Sequence, residues 1–226
     1  MILIKTLKNF LRYYIKPLGR INFILSLPKD AKILDVGCGN NGPLRTKIIK
    51  PGCNYTGIDI ENYNQSEESI KYADKYILTT SENFVDSINN LTENYDAVIS
   101  THNLEHCVRR NEVLKAMCKK VKNGGYLYLS FPSKDSIYFP SRKGTLNYFD
   151  DITHLNNPPN VDEILEILKY FKFFNIKKVD GYKPIIMNIF GNLIEPYSIL
   201  RNKVCLGTWE KWGFESIIIA HKGFDK

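Results

Sequence analysis

Seven short β-rich runs, spaced by polar and helix-like stretches, constrain this chain more than any other feature. They lie at residues 32–36, 55–59, 75–78, 96–100, 126–131, 176–179 and 216–221. Helical patterning falls between them at 66–72, 82–89, 111–121 and 161–171, with Asn160 as an N-cap and Glu163 as its capping-box partner. Runs of continuous Ile, Val and Leu fit strands buried on both faces, and alternation with helices implies right-handed crossovers in a parallel sheet. The expected fold is therefore α/β, a doubly wound, Rossmann-like sheet. At 226 residues the chain suits one domain spanning 1–226, with a helical segment at 1–31. Two stretches break the alternation, 132–160 and 181–213, and are read as substrate-side insertions, since structureless stretches that long usually serve function.

In such a sheet, ligands bind beyond the carboxyl ends of the strands where strand order reverses. The first strand runs into "ILDVGCGNNG", whose glycines have the G-x-G-x-x-G spacing. Gly37 and Gly39 let backbone approach a ligand closely, and the next helix offers free N–H groups. Asp59 ends the second strand, about 20 residues on, where a carboxylate accepts hydrogen bonds from both ribose hydroxyls. Two ligands satisfy this pair, a nicotinamide dinucleotide and S-adenosylmethionine (SAM). Asp35, just before the turn, would repel a pyrophosphate but suits a cationic ligand; the alternative is an acid that braces the turn through backbone N–H groups.

Five cysteines without a C-x-x-C pair, in a chain too large to need staples, fit a reducing cytoplasm and give no zinc site. No apolar run approaches the ~20 residues of a membrane span, and the N-terminus lacks the pattern of a secretory signal. The net charge of +7 points to an acidic partner. In the N-terminal segment, Lys5, Lys8, Arg12, Lys16 and Arg20 interleave with Leu7, Phe10, Leu11, Tyr14 and Ile15. That pattern suits either a first helix packed on the sheet or peripheral contact with an anionic membrane.

Taken together, "ILDVGCGNNG", "YTGIDIEN", "YDAVISTHNLEHC" and "VKNGGYLYLSFPS" resemble the successive strand-end motifs of class I SAM-dependent methyltransferases, in that family's order. The similarity is to the small-molecule branch with a Leu-Glu-His step after strand four, here Leu104, Glu105 and His106. The resemblance implies a seven-stranded, mostly parallel sheet whose last strand is antiparallel, and SAM as cofactor. It places Gly37, Cys38 and Gly39 against the methionine moiety, Asp59 on the ribose, Ile60 beside the adenine and Thr101 near the transferable methyl. Where the family commonly has an acid after the third strand, this chain reads "ILTTSENF", so Ser81 or Glu82 takes that position.

Methyl transfer from a sulfonium needs orientation and, for a hydroxyl acceptor, a base. Among four histidines, His102 sits just past the fourth strand and is the first candidate for base or acceptor contact; the alternative is a loop brace. Glu105 and His106 are read as bracing the next helix. Asp151 and His154, in "YFDDITHLNNPP", form a candidate acid-base pair; with Asp150 they are too few and too closely spaced for a metal site. Lys134, Arg142 and Lys143 interleave with Tyr138, Phe139, Tyr148 and Phe149, a pattern that can clamp a phosphate and stack a sugar face. The D-x-T-H segment is similar to one in methyltransferases of sugars and surface-glycan precursors. The acceptor expected is a small molecule, such as a phosphorylated or nucleotide-linked sugar, methylated on a hydroxyl. A nucleic-acid methyltransferase and a non-catalytic binding module are the rivals. "NNPPN" at 156–160 follows strand five and ends in Asn, unlike the Asn-Pro-Pro-aromatic motif of amino-group methylation after strand four.

Overall fold

A computed structural model describes residues 15–224, and there the chain forms one seven-stranded sheet of order β3-β2-β1-β4-β5-β7-β6. The strands are β1 (Lys32–Val36), β2 (Asn54–Asp59), β3 (Lys75–Leu78), β4 (Tyr95–Thr101), β5 (Val121–Pro132), β6 (Phe173–Val179) and β7 (Glu215–Lys222). The β1–β2, β1–β4, β2–β3 and β4–β5 pairs are parallel, while β7 runs antiparallel to both β5 and β6. The expected doubly wound sheet with an antiparallel last strand is present.

Alternate residues along each strand feed opposite faces, as the pleat requires. Leu34, Val36, Ile58, Val98, Leu127 and Leu129 enter one core with α4 (Phe84–Asn89), α5 (Arg110–Lys120) and α6 (Val161–Tyr170). Ile33, Tyr55, Ala97, Ile99 and Tyr128 enter the other with Phe23, Ile24 and Leu27 of α1 (Arg20–Ser26). Two shorter helices, α2 (Gly42–Ile49) and α3 (Glu67–Lys71), follow β1 and β2. Asn160 caps α6 as read, its Oδ1 accepting from the N–H groups of Asp162 (2.9 Å) and Glu163 (3.4 Å).

The stretch 181–213 is not an irregular insertion. It holds α7 (Ile185–Leu200) and α8 (Thr208–Trp212). The helix was hidden because Gly191 and Pro196 lie inside it and its small and polar residues, rather than its apolar ones, face inward. Gly191 is required by a close approach: a Cβ there would come within 2.8 Å of Lys211 Cβ and collide with the backbone of Gly207. The stretch 132–160 is irregular apart from single turns. Asp150 ties it together by accepting from the backbone N–H groups of Arg142 (2.9 Å), Leu146 (3.0 Å) and Asn147 (2.8 Å).

Most of the basic face at the N-terminus lies outside the described residues. The two cations that are described turn inward: Lys16 pairs with Glu210, and Arg20 Nη2 donates to Asp35 Oδ2 at 2.6 Å. Among the described residues no helix is long and apolar enough to cross a membrane.

Candidate active site

Strand order reverses between β1 and β4, so the turns after these two strands face each other at the carboxyl edge. After β1, Gly37 takes φ +75°, the left-handed region that favours glycine, and its N–H donates to Ile58 O at 2.9 Å. A Cβ on Gly37 would stand 2.6 Å from Asn103 Cβ, so the β1 turn and the segment after β4 meet at the missing side chain. Asn40 and Asn41 are also left-handed, at φ 56° and 55°, a conformation that Asn tolerates better than most residues.

Asp59 is buried at the end of β2. Burial pushes its carboxyl up, opposed by the nearby N–H groups of Ile60, Glu61 and Gly39, and the net shift is upward. Ile60 is exposed beside it. Cys38 is buried, with Sγ 2.8 Å from where a Cβ on Gly57 would stand, so its side chain faces the sheet, and its carbonyl accepts from Gln65 Nε2 at 2.9 Å. Burial pushes the Cys38 thiol up, further from thiolate chemistry. Ser81 is exposed after β3, and its Oγ donates to Glu82 Oε1 at 3.0 Å.

Asp35 departs from expectation. It is wholly buried, and Oδ2 accepts from Arg20 Nη2 and from Tyr55 OH, both at 2.6 Å. Its charge is answered by a cation of this chain, and the turn is braced through side chains rather than through backbone N–H groups. Oδ1 remains buried without a partner.

Past β4, His102 also departs from expectation. It takes φ +48°, rare for a residue with a Cβ, and its ring lies beside the stacked pair of Trp209 (ring centroids 5.2 Å apart, tilted) and Phe214 (6.2 Å, near parallel). Its Nδ1 lies 3.1 Å from Glu105 Oε1 and its Nε2 3.4 Å from Glu215 Oε1. Burial disfavours the imidazolium, but the hydrogen bonds and charges of Glu105 and Glu215 outweigh it and push the pKa up to about 10. A histidine that holds its proton at neutral pH does not act as a general base, which corrects the expected role. Sequence reading missed Glu215, Trp209 and Phe214; the sole signal was an acid at the head of the last strand.

His154 is the histidine in the opposite state. Burial lowers its pKa, leaving it neutral. Its Nδ1 sits 2.5 Å from the Tyr148 carbonyl, which can only accept, so Nδ1 carries the hydrogen and Nε2 keeps its lone pair. Asp151 does not orient the ring as expected. It stands 4.0 Å from Nε2, and its Oδ1 accepts from Thr153 N–H at 2.9 Å and Oγ1 at 2.6 Å. The ring stacks on Tyr148 (centroids 4.4 Å apart) and lies 4.8 Å from His106.

Ligating atoms of Glu105, His106 and His154 lie within 4.8 Å of one another. Asp150, weighed earlier with His154, is spent on the loop backbone. Thr101 Oγ1, Glu105 Oε2 and Ser133 Oγ are buried without a hydrogen-bond partner, all at the carboxyl ends of β4 and β5. Beside them, a cleft lined by Asp135, Phe139, Asp180, Lys183, Lys211 and Trp212 opens where 132–160 meets α8. Arg142 does not reach outward to clamp a phosphate. It is buried against α7, with Nη1 and Nη2 on the Glu195 carboxylate (3.0 and 2.8 Å) and Nη1 on Ser198 Oγ (2.8 Å).

The glycine turn at Gly37 fits a cofactor whose amino-acid portion lies against backbone, and buried Asp59 fits its ribose. The comparisons agree. The ubiquinone biosynthesis O-methyltransferase of Dechloromonas aromatica is 36% identical over 107 residues, covering 44% of this chain and 43% of that protein. The protein of the same name from Yersinia pestis is 31% identical over 126 residues, covering 51% and 49%. The chain thus spans about half the length of the curated relatives it matches. Among solved structures, a SAM-dependent methyltransferase from Archaeoglobus fulgidus superposes with a TM-score of 0.52 at 19% identity, covering 98% of this chain and 93% of the other; at that identity the likeness shows the fold alone. The family profile described as "Methyltransferase domain" matches residues 8–177. That match runs over most of the chain and coincides with the strand ends just described, and on it the chain belongs to the class I SAM-dependent methyltransferases.

Proposed function

We propose that the chain transfers the SAM methyl group to a hydroxyl of a small organic acceptor, with His154 as the general base and the β4–β5 edge as the acceptor site. The observation that carries this reading is the tautomer of His154: a neutral imidazole whose Nδ1 hydrogen is held by the Tyr148 carbonyl presents a free Nε2. A hydroxyl gains nucleophilicity as its proton leaves, and Nε2 can receive that proton. SAM when bound supplies the activated methyl carbon. The backbone of Gly37, Cys38 and Gly39 and the carboxylate of Asp59 hold it, with Ile60 and Ser81 on the adenine side. His102, held between Glu105 and Glu215, fixes the turn after Thr101 rather than taking a proton.

The curated relatives carry O-methyltransferase in their names, which supports a hydroxyl acceptor. For the narrower expectation of a phosphorylated or nucleotide-linked sugar, one of the three cations read as a phosphate clamp, Arg142, is spent on Glu195. Single-turnover transfer from SAM, screened over phenols and sugars, tests the proposal. His154→Ala is expected to lower the rate by about 10²- to 10⁴-fold on an accepted hydroxyl compound, the usual share of a general base. Full rate in that variant removes His154 from the chemistry.

A further inference from the structure

Helix α7 is folded inside out. Its inward face is Met187, Gly191, Glu195 and Ser198, and Glu195 is held there by Arg142 and by Trp212 Nε1 at 3.1 Å. Its outward face is Ile185 (78% exposed), Ile189 (57%), Leu193 (73%), Tyr197 (55%) and Leu200 (82%), with Ile186, Phe190 and Ile199 flanking them. The spacing of four, four, four and three residues makes one continuous stripe down the helix. A soluble helix normally buries such residues, and exposed apolar patches of this length mark a contact surface.

The charges around the stripe identify what it contacts. From Gly181 to Gly207 the sole acid is Glu195, which is buried on Arg142, whereas Lys183, Arg201 and Lys203 are exposed at the two ends of the helix. None of these three cations has an acidic partner within 4.0 Å among the described residues. An apolar stripe with cations at its ends and no exposed acid matches a surface whose interior is hydrocarbon and whose rim is anionic. A second copy of the chain meets this face with the same cations, and the net charge of +7 adds to that repulsion. At 16 residues α7 is too short to span a bilayer, and Glu195 and Ser198 tie its other face to the domain.

We propose that the exposed face of α7 seats the protein on an anionic lipid surface, the helix lying in the plane of the interface with Lys183, Arg201 and Lys203 at headgroup level. This docking stands independently of the acceptor's identity.

Co-sedimentation of the full chain with phosphatidylcholine vesicles containing about one-third phosphatidylglycerol tests it, with pure phosphatidylcholine as the comparison. The wild type is expected to sediment with the anionic vesicles and far less with the neutral ones. Ile189→Ser with Leu193→Ser, and separately Arg201→Glu with Lys203→Glu, should each weaken binding by about tenfold or more. All four side chains are exposed, so both variants should keep the wild-type circular dichroism spectrum and calorimetric affinity for S-adenosylhomocysteine. No binding of the wild type to anionic vesicles overturns the proposal. So does unchanged binding by the serine variant, which would place the contact on another part of the chain. A wild-type dimer in sedimentation equilibrium that the serine variant dissociates would also overturn it, by making a second copy the occupant.

Discussion

The state of His102 gives the sharpest test of the site, through His102→Gln. In the folded protein Glu105 and Glu215 hold its proton so that it titrates at about 10, against 6.5 for a free imidazole. The folded state therefore binds this proton more tightly than the unfolded state. Its contribution is fully present below pH 6.5 and is lost as pH rises from 6.5 to 10. At about 1.4 kcal/mol per tenfold in proton affinity, the contribution is at most about 5 kcal/mol, with a slope no steeper than about 1.4 kcal/mol per pH unit. Glutamine keeps the approximate size and a hydrogen-bond donor but leaves Glu105 and Glu215 without their shared cation. A variant that strands a buried charge loses about 3 to 5 kcal/mol. Urea unfolding of both proteins at steps between pH 6 and 10 should show a wide stability gap at the acid end that closes toward pH 10. Other titrating groups cancel in the difference. NMR of the imidazole in the wild type should show no titration near 6.5. A gap that stays constant over this range, or an imidazole that titrates near 6.5, refutes the ion-paired state and returns His102 to the list of bases.

Gly37→Ala should destabilise by about 1 to 3 kcal/mol in thermal unfolding, since a Cβ at φ +75° is strained and meets the Asn103 side chain. Asp59→Ala should lower calorimetric affinity for S-adenosylhomocysteine about tenfold or more while leaving the melting temperature near wild type; equal affinity removes Asp59 from the ribose site. Arg142→Met strands Glu195, although Lys211 Nζ at 3.3 Å and Trp212 Nε1 remain on that carboxylate. The expected loss is about 3 kcal/mol, recovered in part when Glu195→Leu is added. The acid limb of kcat against pH should fall below 6.5, because burial lowers the pKa of His154, and it should vanish from the residual activity of His154→Ala.

The difference between His102 and His154 also explains how far the sequence could be read. The centre of the sheet was legible because strands buried on both faces must be continuously apolar, and 32–36 coincides with β1 residue for residue. The start of β5 was not, since Val121 pairs with Tyr95 and Tyr126 with Ala97, leaving Asn123, Gly124 and Gly125 in an irregularity of the ladder, with Gly124 at φ +76°, where local preference reads a turn. Gly37, Gly39 and Asp59 were found because a ligand at strand ends needs particular residues at fixed offsets along the chain. Protonation states have no such local signature. His102 looked like a base because its position was right, but its charge is set by Glu105, three residues on, together with Glu215, which β7 brings across the sheet edge from far along the sequence. Arg142 looked free for the same reason, although its partner Glu195 is 53 residues away on a helix the pattern did not reveal. His154, by contrast, takes its tautomer from Tyr148, only six residues earlier. The strand-end positions were therefore legible from local pattern, while the proton state of each histidine there follows from its contacts, Glu105 and Glu215 for His102 and Tyr148 for His154, and these favour His154 as the base proposed above.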